Sequence, residues 1–215
     1  MRYEHKFILN PLNTQSINIF LKQNSFVEHH RDRTVNSIYY DTNDLILYQD
    51  SLNGICNRKK IRCRFYNKNS HFNLEYKVKV DNINLKLNPE YNKKNLIWLN
   101  NRNQKAISEK LFLPKNIESQ FIPKVFISYK RTYLISRKNS TRITLDTCLR
   151  FSRLINYSDS IKILPSYKSC DHILEIKYDH KIIPMMDILE DLTNRFGLIL
   201  TKFSKYTTAI NTIFD

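Results

Sequence analysis

The sequence predicts one α+β domain over residues 1–215, built on a closed antiparallel β-barrel of about eight strands with helices flanking it and at its C-terminus. Three observations lead to that class. Short segments alternate apolar and charged residues with a period of two, at hairpin-like spacing and with no linker, repeat or low-complexity tract between them. Helical spacing is confined to a few segments, most of them near the ends. Only two glycines, Gly54 and Gly197, occur, which excludes a Gly-rich phosphate loop and a dinucleotide fingerprint. Any phosphate must therefore be held by side chains.

The chain opens on a strand, "RYEHKFIL" (2–9), in which Arg2, Glu4 and Lys6 oppose Tyr3, His5 and Phe7. Residues 11–24 take helix spacing at Ile17, Phe20 and Leu21, behind Asn13 and Thr14 as N-cap candidates. Strands follow at 34–42, 59–66, 72–80 and 95–99, then a helix at 103–113. Further strands are expected at 124–135, 141–151 and 171–178. After Pro184, "MMDILEDLTNRF" reads as an amphipathic helix that Gly197 ends, and "SKYTTAINTIF" as a terminal helix.

The balance of 35 Lys and Arg against 20 Asp and Glu leaves a formal charge of +15. Such an excess implies a polyanionic partner: nucleic acid, an anionic membrane or phosphate-rich small molecules. No run approaches the roughly 18 apolar residues of a membrane span, and "MRYEHKFILN" lacks a signal-peptide core. The expectation is a soluble cytoplasmic protein. Cys56, Cys63, Cys148 and Cys170 form no CxxC pair and read as reduced structural thiols. His29-His30 and Cys170-Asp171-His172 have no distant matching ligand pair and read as surface features.

The placement of the charges is more informative than their number. Lys60, Arg62 and Arg64 oppose Ile61, Cys63 and Phe65, and Glu75, Lys77 and Lys79 oppose Leu74, Tyr76 and Val78. Later strands repeat the pattern with Tyr129, Arg131 and Tyr133, with Arg142, Thr144 and Asp146, and with Glu175 and Lys177. A sheet with one wet face would also alternate. Two features argue instead for an enclosed charged face. The opposite faces are strongly apolar, and arginine, whose planar fork suits phosphate, recurs among them. A barrel of about eight strands encloses room for one small ligand or a narrow channel. Charge lining it requires a compensating anion or metal. Nucleic acid fits less well, because the basic residues alternate with apolar ones instead of forming a patch with exposed aromatics.

"RYEHKFIL", "VNSIYYDT", "KKIRCRFY", "LEYKVK", "PKVFISYKRTYL", "RITLD", "ILEIK" and "KFSKY" occur in the order found in the VTC (vacuolar transporter chaperone) catalytic domain. The chain resembles this polyphosphate polymerase branch of the CYTH-like triphosphate tunnel fold from Arg2 to Tyr206. The resemblance implies an eight-stranded tunnel that binds a nucleoside triphosphate with Mn²⁺ or Mg²⁺ and moves the γ-phosphate of ATP onto inorganic polyphosphate. It implies that Lys6, Arg62, Arg64, Lys77, Arg131, Arg142 and Lys177 line the catalytic tunnel, and that Glu175 binds the metal. Lys86, Tyr129, Lys202, Ser204 and Lys205 would contact phosphates.

One departure bears on the reaction. Hydrolytic relatives carry Glu-x-Glu-x-Lys on the first strand, where this chain has Arg2-x-Glu4-x-Lys6. Loss of one paired carboxylate favours the polymerase over a triphosphatase acting on inorganic or nucleoside triphosphate. A non-catalytic polyphosphate or nucleic-acid binding module is the remaining alternative. Eukaryotic relatives attach the domain to membrane helices that this sequence lacks, so translocation would need a separate membrane partner.

Overall fold

The computed structural model describes residues 2–67, 73–80, 83–87, 121–138, 140–156, 161–179 and 185–214. The strand expected at 95–99 and the helix at 103–113 lie outside the described residues. The strands are β1 (Arg2–Leu9), β2 (Phe26–Asp41), β3 (Arg58–Tyr66), β4 (Asn73–Val80), β5 (Ile83–Leu87), β6 (Ile122–Ser136), β7 (Arg142–Asn156), β8 (Ile161–Ile163), β9 (Tyr167–Lys168) and β10 (His172–Asp179). The helices are α1 (Thr14–Gln23), α2 (Ile46–Leu52), α3 (Met185–Phe196) and α4 (Lys205–Phe214). Hydrogen bonds order the main strands β1-β10-β7-β6-β2-β3-β4-β5, with β8 and β9 pairing to β7. The α+β antiparallel class therefore holds. The expected closure is not made by strand pairing among the described residues, since β1 and β5 stand at the two ends of the path. The segment that follows β5 in the chain lies outside them.

The chain divides into two compact units, and β2, β6 and β7 each contribute to both. Unit 1 comprises Met1–Thr34, Ser128–Arg150 and Lys168–Ser204. In it β1 pairs with β10, and β10 with β7, both antiparallel. Phe7 and Leu9 of β1, Ile143 and Leu145 of β7, and Leu174, Ile176 and Tyr178 of β10 form one apolar face. Ile17, Phe20 and Leu21 of α1 and Leu192 of α3 pack with it. Burial of such aliphatic side chains is worth about 1.5–3 kcal/mol each, and this layer fixes the opposite, charged face of the same strands.

Local signals mark the C-terminal ends of α1 and α3. Asn13 makes no side-chain cap to α1; Asn10 accepts from the Leu12 N–H at 3.0 Å and caps the preceding Pro11–Asn13 turn instead. The Thr14 hydroxyl is 2.7 Å from His172 Nδ1 of β10. α1 ends with Ser25 at φ 67°, a left-handed position that usually falls to glycine. Gly197, at φ 63°, ends α3 as the sequence predicts.

Unit 2 comprises Val35–Ile127, Phe151–Tyr167 and Lys205–Asp215. Here β2 pairs with β3, β3 with β4 and β4 with β5, all antiparallel. Ile38 and Tyr40 of β2, Ile61 and Cys63 of β3, and Leu74 and Tyr76 of β4 supply the apolar face, joined by Leu47 of α2, Phe121 and Leu154. Asp41 organises one end of this unit. Its carboxylate accepts from the backbone N–H groups of Leu47 and Tyr48, each at 2.9 Å, and so satisfies the start of α2. It also accepts a short hydrogen bond from the Tyr206 hydroxyl of α4. Burial raises the Asp41 carboxyl, against the pull of these donors.

Candidate functional site

In unit 1 the register sets the charges opposite one another. Lys6 of β1 faces Glu175 of β10, and Glu4 faces Lys177. Lys177 in turn faces Arg142 of β7, and Glu175 faces Thr144. Lys177 Nζ lies 2.6 Å from Glu175 and 3.4 Å from Glu4, and Lys6 Nζ lies 3.0 Å from the other Glu4 oxygen. Lys6 also donates to the Phe203 carbonyl at 3.4 Å, which ties the "KFSKY" segment to β1. The Thr201 N–H adds a bond to the Lys6 carbonyl at 2.9 Å.

Burial would push the Glu175 carboxyl up, but Lys177, Arg131 and Lys6 overcome it and hold the group well below the usual carboxylate range. Glu4 is raised by burial and by Glu175, yet Lys6 and Lys177 bring it below its ordinary value. Lys177 is destabilised by burial and held protonated by Glu175 and Glu4. Arg131 forms a fork with Asp146, Nε at 2.5 Å and Nη2 at 2.7 Å, and lies 5.3 Å from the ring centre of the buried Tyr129. Arg142 and Lys202 are exposed and Ser204 is half-buried.

Unit 2 holds the second group. Arg62 donates to Glu75 from Nε at 2.6 Å and to the Tyr39 hydroxyl from Nη1 at 3.1 Å. Arg64 donates to the Ser37 hydroxyl at 3.2 Å and stands 3.9 Å from Glu75, while Lys86 reaches the other Glu75 oxygen at 3.0 Å. Burial raises Glu75, but Arg62, Arg64 and Lys86 lower it to about 2. Lys60, Lys77 and Lys86 lie directly opposite one another across β3, β4 and β5. Like charges so placed repel, and an anion over the row would relieve that repulsion. Lys77 is exposed and Lys205 half-buried.

The sequence did not signal Tyr39. It is buried, stacks on Tyr206 at 5.2 Å with 11° between the rings, and accepts from Arg62. Burial raises its phenol, and Arg62, Arg64 and Lys60 outweigh that and lower it to about 7. Only the register, which sets Tyr39 opposite Arg62, reveals this. A depressed acid in the folded state stabilises fully above the unfolded phenol value of about 10. That contribution is lost as pH falls through about 7. Ultraviolet difference titration is therefore expected to show one tyrosine ionising near neutrality in wild type, and Arg62→Ala should return that step to the ordinary range.

A divalent ion held by one or two carboxylates, with phosphate oxygens and water completing its shell, is the usual magnesium arrangement. Glu175 and Glu4 suit it. Both reach the same ammonium, of Lys177, and Lys6 and Lys177 outweigh the repulsion between them, so a divalent ion there would share them with an ammonium or displace it. The described residues contain no cluster of three or more His, Cys, Asp or Glu of metal-binding geometry.

The model of the VTC domain matches residues 1–214. The chain belongs to the VTC domain family. No curated protein matches its sequence. Among solved structures, a candidate adenylate cyclase from Bacillus halodurans is similar at TM-score 0.60 and 14% identity, over 100% of this chain and 98% of that one. A candidate adenylyl cyclase from Hippeastrum, described with a dominant triphosphatase activity, is similar at 0.56 and 14%, over 99% and 96%. The PH1819 protein of Pyrococcus horikoshii is similar at 0.50 and 13%, over 99% of both chains. At these identities the likeness establishes the fold. This VTC domain has the triphosphate tunnel fold, and none of its described helices is long and apolar enough to cross a membrane.

Proposed function

We propose that this VTC domain is a metal-dependent polyphosphate polymerase of the cytoplasm, transferring the γ-phosphate of ATP onto inorganic polyphosphate. The observation that carries the reading is the state of the first strand. Its carboxylate, Glu4, is engaged by Lys6 at 3.0 Å and by Lys177 at 3.4 Å, and position 2 is arginine. Two cations on one carboxylate oppose its use as a base for water.

Phosphoryl transfer asks the protein for position and neutralised charge more than for covalent chemistry. Lys6, Arg131, Arg142 and Lys177 in unit 1, and Arg62, Arg64, Lys77 and Lys86 in unit 2, supply cationic donors for phosphate oxygens. Tyr129, Lys202, Ser204 and Lys205 add contacts to the chain. Glu175, with Glu4, would hold Mn²⁺ or Mg²⁺, which when bound supplies charge stabilisation to the transferring phosphoryl group. Donors that hold an acceptor phosphate beside the γ-phosphate raise its effective concentration far above that of a positioned water. With ATP and Mn²⁺, ADP should accumulate well in excess of free phosphate. Equal release of the two would favour the second reading, hydrolysis, which is the activity described for the Hippeastrum neighbour.

The arginines give a graded test. Arg62→Ala and Arg64→Ala should each lower synthesis by about 10²-fold, the scale of one lost transition-state contact. Lysine at either position should restore only part, because it lacks the fork. Lys22→Ala on α1, an exposed residue 3.9 Å from Glu28, should leave the rate unchanged. Initial rates of ADP formation measure all five proteins.

A further inference from the structure

The first half of β2 contains a segment that the phosphate chemistry leaves unexplained. From Glu28 to Asp32 five consecutive residues are exposed, so core packing does not dictate their identity. The segment nevertheless presents two adjacent histidines whose ring centres are 4.2 Å apart. The His30 ring meets Tyr133 of β6 edge-on at 5.6 Å and 86°, and the Arg33 guanidinium lies 5.6 Å from the centre of the Tyr133 ring. Tyr133 shares the alternation of Tyr129 and Arg131, so its side chain stands on the charged face of unit 1. His30 also interacts electrostatically with Arg142 of β7. An edge-on pair of aromatic rings with a guanidinium over one of them thus stands near the arginine end of a phosphate-binding face.

We propose that the Tyr133 ring, with the His30 ring set edge-on to it and Arg33 beside it, forms a stacking platform for the base of a nucleoside triphosphate whose phosphates bind on the Arg142 side of unit 1. The inference rests on the nucleotide substrate of the polymerase reading, and adds to it a site that separates a nucleotide from a bare phosphate chain. Every nucleobase has a π-face, and aromatic rings with a flanking guanidinium recognise it without base-specific hydrogen bonds. The platform therefore favours nucleoside triphosphates over inorganic tripolyphosphate, with weak choice among bases.

The test compares the dissociation constants of ATP and of inorganic tripolyphosphate by calorimetry, for the full chain and for His30→Ala, Tyr133→Ala and Tyr133→Phe. The alanine variants should weaken ATP roughly 10-fold, within the range for one stacked base, and leave tripolyphosphate unchanged. Tyr133→Phe should bind ATP as wild type does. Equal weakening of both ligands, or of neither, overturns the platform. His30 is exposed, so its variant keeps the test available if Tyr133→Ala fails to fold. A wild type that binds both ligands but makes no polymer defeats the polymerase reading alone, and the platform is then decided by the affinity ratio. A wild type that does not bind ATP overturns both.

Discussion

Glu175→Gln is expected to lower metal-dependent synthesis by about 10²–10³-fold while leaving the fold intact. The change keeps the size of a buried side chain and removes its charge. Lys177 loses its 2.6 Å partner but keeps Glu4 at 3.4 Å, and its side chain is 35% exposed, so water takes up part of the loss. The same variant tests the electrostatics. Lys177, Arg131 and Lys6 hold the Glu175 carboxyl well below its ordinary range in spite of burial. Its stabilising contribution is therefore complete above the unfolded carboxylate value of about 4.3 and is lost as pH falls through the lower folded value. Denaturation midpoints measured from neutrality downward should fall less steeply for Glu175→Gln than for wild type. Near-normal synthesis by this variant would show that Glu175 does not hold the metal.

The largest effect on stability is expected at Asp146. Its side chain is fully buried, that of Arg131 is 14% exposed, and the two share a forked pair of hydrogen bonds. Asp146→Asn leaves a guanidinium buried against a neutral amide. Removing one partner of such a pair costs about 3–5 kcal/mol. Replacing both, as Arg131→Met with Asp146→Leu, should recover most of the stability, because the desolvation of two charges is removed together. It should not recover synthesis, for which the guanidinium is needed. Urea unfolding reads the first effect, as a lower midpoint with an unchanged slope.

The period-two pattern was enough to place Arg62, Arg64, Glu75 and Lys77, or Lys6, Glu175 and Lys177, on the charged faces of their strands. The helical spacing of Ile17, Phe20 and Leu21 was enough to place the buried side of α1. What the pattern lacked was register. Nothing in "KKIRCRFY" or "NLEYKVKV" says that Arg62 stands opposite Glu75 instead of two residues away, and the ion pairs and the lowered Tyr39 phenol all follow from that pairing. The start of β2 escaped detection because residues 28–32 are exposed on both faces and so do not alternate. The helix α2 escaped for a different reason. Asp41, five residues before its first residue, satisfies the Leu47 and Tyr48 N–H groups, so no local N-cap marks its beginning. Asn13 looked like the cap of α1 by position, but the chain had already turned at Asn10.

In the proposed reaction the γ-phosphate goes to a phosphate chain and not to water. Incubation of the purified protein with γ-labelled ATP and Mn²⁺, followed by electrophoresis of the products, tests it most directly. The label is expected to enter a ladder of lengthening polyphosphate while ADP accumulates unlabelled. Label found only as orthophosphate, with no ladder at any time or metal concentration, would contradict it.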